Sequence, residues 1–486
     1  MESRDYNAAI TALNSLQTNF SIVNAIKKSG RSMNKQAIPE MIDFAKRIGY
    51  QPSDFKKFRP IHIAGTKGKG STSAFISSIL SQYTQDSSSI SPKKVGLYTS
   101  PHLCSVRERI QINNEPISES DFSKYFFEVW DRLSATGDGS KPVYFRFLTL
   151  MAYHLFIAEG VDSAVIECGI GGEYDSTNII EEPTVTAVTA LGIDHVGVLG
   201  NTIEEIAWHK AGIFKKGALA LSAPQPESAL EVLKKRAGEA GTGLHVVQRI
   251  PSIANGETKL GLAGDFQKSN ASLAVATAAA HLRSIGHAGI PDPINITTFP
   301  NEFIKGLEEV KWPGRCDIRK EGSISWCLDG AHTLESIQVA GEWFADVSQQ
   351  SKAPRILIFN QQTRDAPTLA QQLFATLSTS LSSTTPFTHA IFTTNVTFKS
   401  AGYKPDLVSN NTNTSDIETL KVQNELAEVW SKIDPAATVQ VTRTIEEALD
   451  TAREALGEGQ GLVLVTGSLH LVGGAIEVLQ SGGRVK

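Results

Sequence analysis

The chain has 486 residues, of which 41% are hydrophobic and 20% charged, and its formal net charge is -5. At about 150 residues per domain, this length predicts two or three domains in a globular protein. The charge balance gives no reason to expect a nucleic acid or an anionic membrane as partner. No apolar run approaches the roughly 20 residues needed to span a bilayer. The first residues, MESRDYNAAI, are not typical of a secretory signal, so we expect a cytoplasmic protein, with a mitochondrial isoform as an alternative.

Short apolar runs alternate with glycine- or serine-containing turns and helical patterns, which predicts α/β units around a mostly parallel sheet. In the first half we predict strands at 60–64, 94–98, 162–167 and 185–191. The helices predicted there are 71–83, 119–133, 145–159 and 202–211. The fold class is therefore α/β.

A second series of α/β units follows the segment WPGRCD at 312–317. Its predicted strands are 325–328, 355–359, 389–393, 438–442 and 461–466. We expect two domains, 1–308 and 309–486. The polar segment YKPDLVSNNTNTSD at 403–416 is predicted to be an exposed excursion. The four cysteines lie far apart, and we expect reduced thiols.

The first predicted strand is followed by GTKGKGST, which resembles a phosphate-binding loop but departs from G-x-x-x-x-G-K-[ST] at both ends. Ile63 stands where the first glycine would be, and Gly70 separates Lys69 from Ser71. Glycines let successive N–H groups turn towards a phosphate, and a helix N-terminus adds partial positive charge. A tight turn with a solvated lysine is the alternative interpretation.

Three more predicted strands end in unusual loops, which contain Ser100, Glu167 and His195. The carboxyl ends of parallel strands line the crevice where ligands bind. Glu167 closes an apolar strand, and a buried carboxylate needs a cation or a metal as partner. A lone histidine is more often structural. Together, oxygen ligands and one imidazole suit Mg²⁺ bound with nucleotide phosphates.

Longer motifs carry a family resemblance: HIAGTKGKGSTSAF, YTSPHLCSVRERIQIN, ECGIGGEYDSTNII, LGIDHVGVLGNTIEEIAWHKAGIFK, WPGRCDI, LDGAHT and VTGSLHLVGG. In order and spacing they resemble the folylpolyglutamate synthases of the Mur ligase superfamily, and in detail those of the eukaryotic type. The resemblance implies an ATP-dependent ligase that adds L-glutamate to the γ-carboxyl group of reduced folates for one-carbon metabolism. It also implies an N-terminal P-loop-type ATPase domain and a smaller C-terminal Rossmann-like domain. The phosphate loop of that superfamily is G-T-x-G-K-G-S, which accounts for the mismatch.

The resemblance further implies roles for individual residues. ATP would be held by Gly65, Thr66, Gly68, Lys69, Gly70, Ser71, Thr72, Asn270, Arg315 and Asp329. Mg²⁺ would be bound by Ser71, Ser100, Glu167 and His195, and a monovalent cation such as K⁺ is a further expected cofactor. Catalytic roles would fall to Lys69, Lys210, Asp329 and His332, with Lys210 matching a lysine that is carbamylated in many members. Residues near folate or glutamate would be Asp175, Thr177, Asn178, Ser468 and His470.

Two positions depart from the family pattern. Phe266 replaces the histidine of the HQ-x-x-N stretch, and FNQQTRDAP at 359–367 lacks the usual glycine before Arg364 and Asp365. The alternatives within the superfamily are dihydrofolate synthase, which adds glutamate to dihydropteroate, and a bifunctional enzyme. A nucleotide-dependent switch is the alternative from another class. The expected partners are small molecules, namely reduced folate, L-glutamate and ATP, and we expect a monomer.

Overall fold

The computed structural model describes residues 3–17, 35–86, 88, 90–349, 351–362, 364–400, 405–407 and 417–482. The chain forms two compact units that divide between Lys311 and Trp312, and the second unit also includes Leu103–Ser105. The expected division between residues 308 and 309 lies close to this point. Nothing in the local sequence assigns Leu103–Ser105 to the second unit.

The first unit contains an eight-stranded sheet with the order β4-β3-β2-β5-β1-β6-β7-β8. Six strands are parallel, and β3 and β4 form an antiparallel edge, so the expected mostly parallel sheet is confirmed. The bounds are β1 Pro60–Ala64, β2 Val95–Tyr98, β3 Ile110–Ile112, β4 Glu115–Pro116, β5 Ser163–Glu167, β6 Val185–Val188, β7 Leu219–Ser222 and β8 Leu244–Val246.

Helices cover this sheet, and the central strand β1 is buried along its whole length. A strand covered on both faces must be apolar throughout, and in β1 only His62 departs from this rule. The α-helices described in the first unit are Tyr6–Ser15, Ala37–Arg47, Lys69–Ser81, Glu119–Ala135, Tyr144–Ala158, Val196–Leu199, Ile203–Lys210, Glu227–Glu239, Pro251–Ala254, Gln267–Ser284 and Asn301–Glu309. None of the helices in the described ranges is long and apolar enough to cross a membrane.

The helix Lys69–Ser81 follows the glycine-rich loop and is buried from Ser71 to Leu80. Gly306, on the neighbouring helix Asn301–Glu309, allows close packing, because a Cβ atom added to it would lie 2.5 Å from the Ile79 Cα atom. The Ser78 hydroxyl donates to the Gly306 carbonyl oxygen at 2.7 Å. The helix that begins at the glycine-rich loop is therefore fixed from its outer side.

The second unit contains a six-stranded sheet with the order β13-β12-β11-β14-β10-β9. It is parallel except for the edge strand β9, which is antiparallel to β10. The strands are β9 Asp317–Glu321, β10 Ile324–Asp329, β11 Arg355–Phe359, β12 His389–Phe392, β13 Thr438–Val441 and β14 Gly461–Thr466. The α-helices described here are Leu334–Gln349, Ala366–Ser380, Lys421–Ile433, Ile445–Leu456 and Leu469–Ser481.

Two sequence expectations differ from the structure. The strand predicted at 185–191 ends at Val188, because the chain leaves the sheet there and the Ala190 carbonyl accepts hydrogen bonds from the glycine-rich loop. The excursion predicted at 403–416 lies largely outside the described residues. Its described part, Pro405–Leu407, is a single helical turn in which Asp406 and Leu407 are buried rather than exposed.

We expect Gly306→Ala to lower the melting temperature by several degrees, because the added methyl group collides with backbone atoms of Ile79. The measurement is thermal unfolding followed by circular dichroism. Gly238→Ala is the matched control, since Gly238 also lies in a helix but has no atom within 4 Å of an added Cβ. Alanine is the better helix former, so the control should keep or raise the melting temperature. Equal melting temperatures for the two variants would contradict the close packing.

Candidate active site

Sheet register places the loops of the first unit along one edge. Ile63 of β1 pairs with Glu167 of β5, and Ala64 pairs with Val188 of β6. Tyr98 of β2 pairs with Ile166. The residues that follow these strands therefore leave the sheet at the same level, where parallel sheets bind ligands.

Two glycines of the loop are required by their surroundings. Gly65 has φ +149° and Gly68 has φ +85°, both in the region that favours glycine. A Cβ atom at Gly65 would collide with the Thr189 hydroxyl, and one at Gly68 would collide with the Asn270 side-chain oxygen. The loop therefore touches its neighbours through bare backbone.

The loop is also held by hydrogen bonds to the chain that follows β6. The N–H groups of Thr66 and Lys67 both donate to the Ala190 carbonyl oxygen at 3.0 Å, and the Thr66 hydroxyl donates to the Gly192 oxygen at 3.1 Å. The N–H group and the hydroxyl proton of Thr66 are thus engaged within the protein.

The N–H groups best placed to bind phosphate are those of the helix start. The helix begins at Lys69, and Thr72 N–H donates to the Gly68 oxygen at 2.8 Å. Helix geometry leaves the N–H groups of Lys69, Gly70 and Ser71 without intrahelical acceptors. Such groups at a helix N-terminus form an anion-binding site.

Three lysines lie beside the loop. Lys69 Nζ is 4.0 Å from Glu167 Oε1, and Lys67 Nζ is 3.3 Å from Asp194 Oδ2. Lys210 Nζ donates to the Gly65 carbonyl oxygen at 2.7 Å. The sequence motifs indicate Lys69 and Lys210 as site residues but not Asp194, whose signal is its position next to His195 in the GIDH loop.

Lys210 is buried and lies near a second cation. Burial, with a smaller effect of the Lys69 charge, lowers the pKa of Lys210 to about 7. Near neutral pH, a substantial fraction of this amine is therefore uncharged and nucleophilic.

The expected Mg²⁺ ligands lie at or beyond the carboxyl ends of strands in the first sheet. The buried Glu167 carboxylate accepts a hydrogen bond from the Ser100 N–H at 3.1 Å, and Ser71 is buried at the helix start. His195 is exposed and has a left-handed backbone conformation. Within the described ranges, no group of three or more His, Cys, Asp or Glu side chains could hold a metal by itself. A hard cation here would need phosphate oxygens and water, as Mg²⁺ commonly does.

Asn270 is joined to the loop through Gln267, a residue that is not among the predicted site residues. Asn270 donates from Nδ2 to Gln267 Oε1 at 2.9 Å, and Gln267 donates from Nε2 to the Ser71 hydroxyl at 3.3 Å. Gln267 is fully buried and follows Phe266. The signal that could have identified it is the glutamine of the HQ-x-x-N stretch, which remains where the histidine does not.

The predicted folate-loop residues are buried and engaged within the protein. Asp175 accepts from the Thr177 hydroxyl at 2.6 Å and from the N–H groups of Thr177 and Ile170 at 3.0 and 2.9 Å. Burial raises the pKa of Asp175, and these hydrogen bonds oppose that rise. Asn178 donates to the Glu173 and Gly212 carbonyl oxygens, each at 3.1 Å. These contacts organise the loop, and direct folate contact stays a prediction.

In the second unit, Arg315, Asp329 and His332 are brought together by the pairing of two loops. Gly330 N–H donates to the Gly314 oxygen at 3.1 Å, and Cys316 N–H donates to the Asp329 carboxylate at 2.8 Å. His332 donates from Nδ1 to the Gly330 carbonyl at 2.9 Å, which in the neutral ring leaves Nε2 as an acceptor. The three residues thus form one polar group at the end of β10.

Ser468 and His470 lie at the start of the last helix of the second unit. Ser468 is the N-cap residue, and its hydroxyl accepts from the Leu471 N–H at 3.0 Å. His470 is exposed. Both follow β14, at the same edge of the sheet as Asp329, which pairs with Thr466.

We expect Gly68→Ala to weaken ATP binding by at least tenfold, because the methyl group would displace either the loop or Asn270. The measurement is the ATP dissociation constant from calorimetry. Gly217→Ala is the matched control: its φ of +84° imposes the same backbone strain, but an added Cβ has no neighbour within 4 Å. Similar ATP affinities for the two variants would contradict the role of the close contact.

Comparisons with known proteins identify the family and the fold. Residues 315–478 match the family model described as "Dihydrofolate synthetase, C-terminal domain". Two solved structures share the fold. The Mycobacterium tuberculosis folylpolyglutamate synthase complexed with ADP has a TM-score of 0.70 and 21% identity, covering 98% of this chain and 99% of that one. The structure titled "FPGS-AMPPCP-folate complex" has a TM-score of 0.66 and 24% identity, covering 96% of this chain and 99% of that one.

A relative of much higher identity comes from yeast. The chain is 50% identical over 492 residues to the folylpolyglutamate synthase of Saccharomyces cerevisiae strain S288c. The alignment covers 98% of this chain and 87% of the yeast protein. With this identity over almost its full length, the chain belongs to the folylpolyglutamate synthase family.

Proposed function

We propose that this protein is an ATP-dependent ligase that joins L-glutamate to the γ-carboxyl group of a reduced folate. The observation that carries the proposal is the phosphate loop, with its bare glycines, free helix N–H groups and Lys69 at the carboxyl edge of the first sheet. The yeast relative named folylpolyglutamate synthase supports the substrate assignment. Similar folds bound to ADP and to AMPPCP with folate support the nucleotide assignment.

The reaction proceeds in two displacements. A folate carboxylate oxygen attacks the γ-phosphorus of ATP, the bond to the β-phosphate oxygen breaks, and ADP leaves behind an acyl phosphate. The uncharged amine of glutamate then attacks the acyl carbon, the carbon–oxygen bond to phosphate breaks, and the departing phosphate takes the proton that the nitrogen loses. Phosphoryl transfer depends mainly on positioning and charge neutralisation. Lys69 and the N–H groups of Gly70 and Ser71 would offset the repulsion between the carboxylate and the triphosphate.

We extend the proposal to Mg²⁺ as cofactor, held with the nucleotide by Glu167, Ser71, Ser100 and His195. Bound there, Mg²⁺ would neutralise phosphate charge. The Glu167 carboxylate is buried with Lys69 Nζ at 4.0 Å, and it supports this assignment because a buried carboxylate requires nearby positive charge, which Mg²⁺ would supply.

We also propose that Lys210 is carbamylated. Carbon dioxide adds to an uncharged amine, and the pKa of about 7 provides that form near neutral pH. A carbamate keeps one N–H, so the hydrogen bond to the Gly65 carbonyl can persist. The modification replaces a cation beside Lys69 with an anion.

Dihydrofolate synthase is the second candidate activity, because the matching family model carries that description. The two activities use the same ATP chemistry and differ in the acid that is activated. They are therefore distinguished by which acid the protein extends, tetrahydrofolate or dihydropteroate.

We expect the purified protein to convert tetrahydrofolate, ATP, Mg²⁺ and L-glutamate into a product one glutamyl residue heavier, detected by mass spectrometry. Chelation of divalent cations should stop the reaction and added Mg²⁺ restore it. A parallel reaction contains dihydropteroate in place of tetrahydrofolate. A glutamyl product from dihydropteroate alone would establish the second candidate, and ATP hydrolysis without a glutamyl product from either acid would refute both.

Lys69→Ala should lower kcat by about 10²-fold or more, since it removes a positive charge next to the transferred phosphate. Lys57→Ala, at an exposed lysine paired with Asp54, is the control and should retain activity.

With ¹³C-bicarbonate, we expect a carbamate signal in the ¹³C NMR spectrum that is absent from Lys210→Met. The signal should grow as the pH rises through about 7, because deprotonation produces the reactive amine. Lys216→Met, at an exposed neighbouring lysine, is the control and should keep the signal. An identical spectrum for wild type and Lys210→Met would rule out carbamylation at this site.

A further inference from the structure

A chain of amide side chains lies at the carboxyl edge of the second sheet. Asn360 follows β11, Asn395 follows β12, and Gln423 lies on the helix Lys421–Ile433. Asn360 and Gln423 are fully buried, and this series of hydrogen-bonded side chains ends at Ser468, which is 9% exposed. Buried amides are costly unless they are hydrogen-bonded, so this arrangement calls for a specific role.

The hydrogen bonds run in one direction. Gln423 donates from Nε2 to Asn360 Oδ1 at 2.8 Å, and Asn360 donates from Nδ2 to Asn395 Oδ1 at 2.9 Å. Asn395 in turn donates from Nδ2 to Gln362 Oε1 at 3.3 Å. Asn360 and Asn395 each accept through the side-chain oxygen from one neighbour and donate through the nitrogen to the next, so the orientation of the Asn395 amide is fixed by Asn360 and Gln362.

The oriented oxygen of Asn395 also faces Ser468. The Ser468 hydroxyl donates to Asn395 Oδ1 at 3.4 Å and accepts from the Leu471 N–H at 3.0 Å. A hydroxyl has one proton and two acceptor positions. The proton and one acceptor position are therefore used, and among the described residues no further hydrogen-bond partner reaches this oxygen.

The backbone around Ser468 is held as firmly as its side chain. Gln361 donates from Nε2 to the Gly467 carbonyl at 2.8 Å. Gly467 has φ +108°, and a Cβ atom there would lie 2.5 Å from the Asn360 carbonyl oxygen. The loops after β11 and β14 therefore fix where the hydroxyl lies, while Asn395 fixes which way its proton points.

We propose that Asn395 is a positioning residue that orients Ser468 as a hydrogen-bond acceptor for the amino group of the incoming glutamate. The inference rests on the proposed ligase function. A hydroxyl whose proton already points at Asn395 can accept from an N–H but cannot donate to a carboxylate or phosphate without breaking that bond. An acceptor suits the amine, which must be held while its lone pair attacks the acyl carbon.

The experiment compares the steady-state kinetics of wild type, Asn395→Ala, Asn395→Asp and Ser468→Ala. Glutarate serves as a competitive inhibitor against glutamate, because it has both carboxylates but no amino group. Losing one oriented hydrogen bond should raise the KM for L-glutamate about tenfold in Asn395→Ala. The KM values for ATP and tetrahydrofolate and the inhibition constant of glutarate should not change. Asn395→Asp keeps the acceptor oxygen and should restore most of the affinity for glutamate.

Several outcomes would overturn the proposal: an unchanged KM for glutamate, a parallel rise in the inhibition constant of glutarate, or a rise in the KM for ATP. Adding Asn395→Ala to Ser468→Ala should have no further effect on the KM for glutamate, and an additive effect would show that Asn395 does not act through Ser468. Asn424→Ala is the control and should leave the KM for glutamate unchanged, because Asn424 is next to Gln423 but does not take part in the hydrogen-bonded series of amides. If Asn395→Ala does not fold, Ser468→Ala with glutarate makes the same distinction. A wild-type protein without ligase activity would instead refute the proposed function.

Discussion

The close approach between the phosphate loop and the chain that follows β6 is the contact on which the candidate site of the first unit depends. Gly65 lies against Thr189 with no space for a side chain, and two loop N–H groups share the Ala190 carbonyl. Lys210 also donates to the Gly65 oxygen. The loop conformation is thus set by protein contacts, so a nucleotide would meet donors that are already in place. Such preorganisation is the main source of electrostatic stabilisation in enzymes.

The elements that the sequence predicts well are those whose signal is local. The bounds of β1, β11 and β14 are the predicted ones, because each is an apolar run that ends at a polar or glycine residue. The strand β9 was not predicted, since DIRKE is polar and its side chains are not buried in the core. It becomes a strand only by antiparallel pairing with β10, which no local pattern reveals.

The residues of the candidate site also fall into those with a local sequence signal and those without one. Lys69, Glu167 and the loop glycines could be identified because each stands at the end of a predicted strand. Gln267 contacts Ser71 across 196 positions of the chain, and Gln423 contacts Asn360 across 63. Buried amides resemble surface residues in a sequence, so only the folded structure shows that they are joined. Phe266, where the family pattern has a histidine, lies in the stretch that contacts the phosphate loop. The contact itself is made by the neighbouring residue, Gln267, which donates to the Ser71 hydroxyl.

The position of β1 in the middle of its sheet has a consequence for how the site behaves during local unfolding. β1 lies between β5 and β6, whereas Glu115–Pro116 forms one edge of the sheet. Amide hydrogens of a central strand exchange with solvent only when the whole unit opens, whereas edges open at a much lower free energy. Because the phosphate loop continues directly from β1, it is anchored to the part of the sheet that opens last. Fluctuations that detach the edge strands therefore leave the nucleotide loop folded.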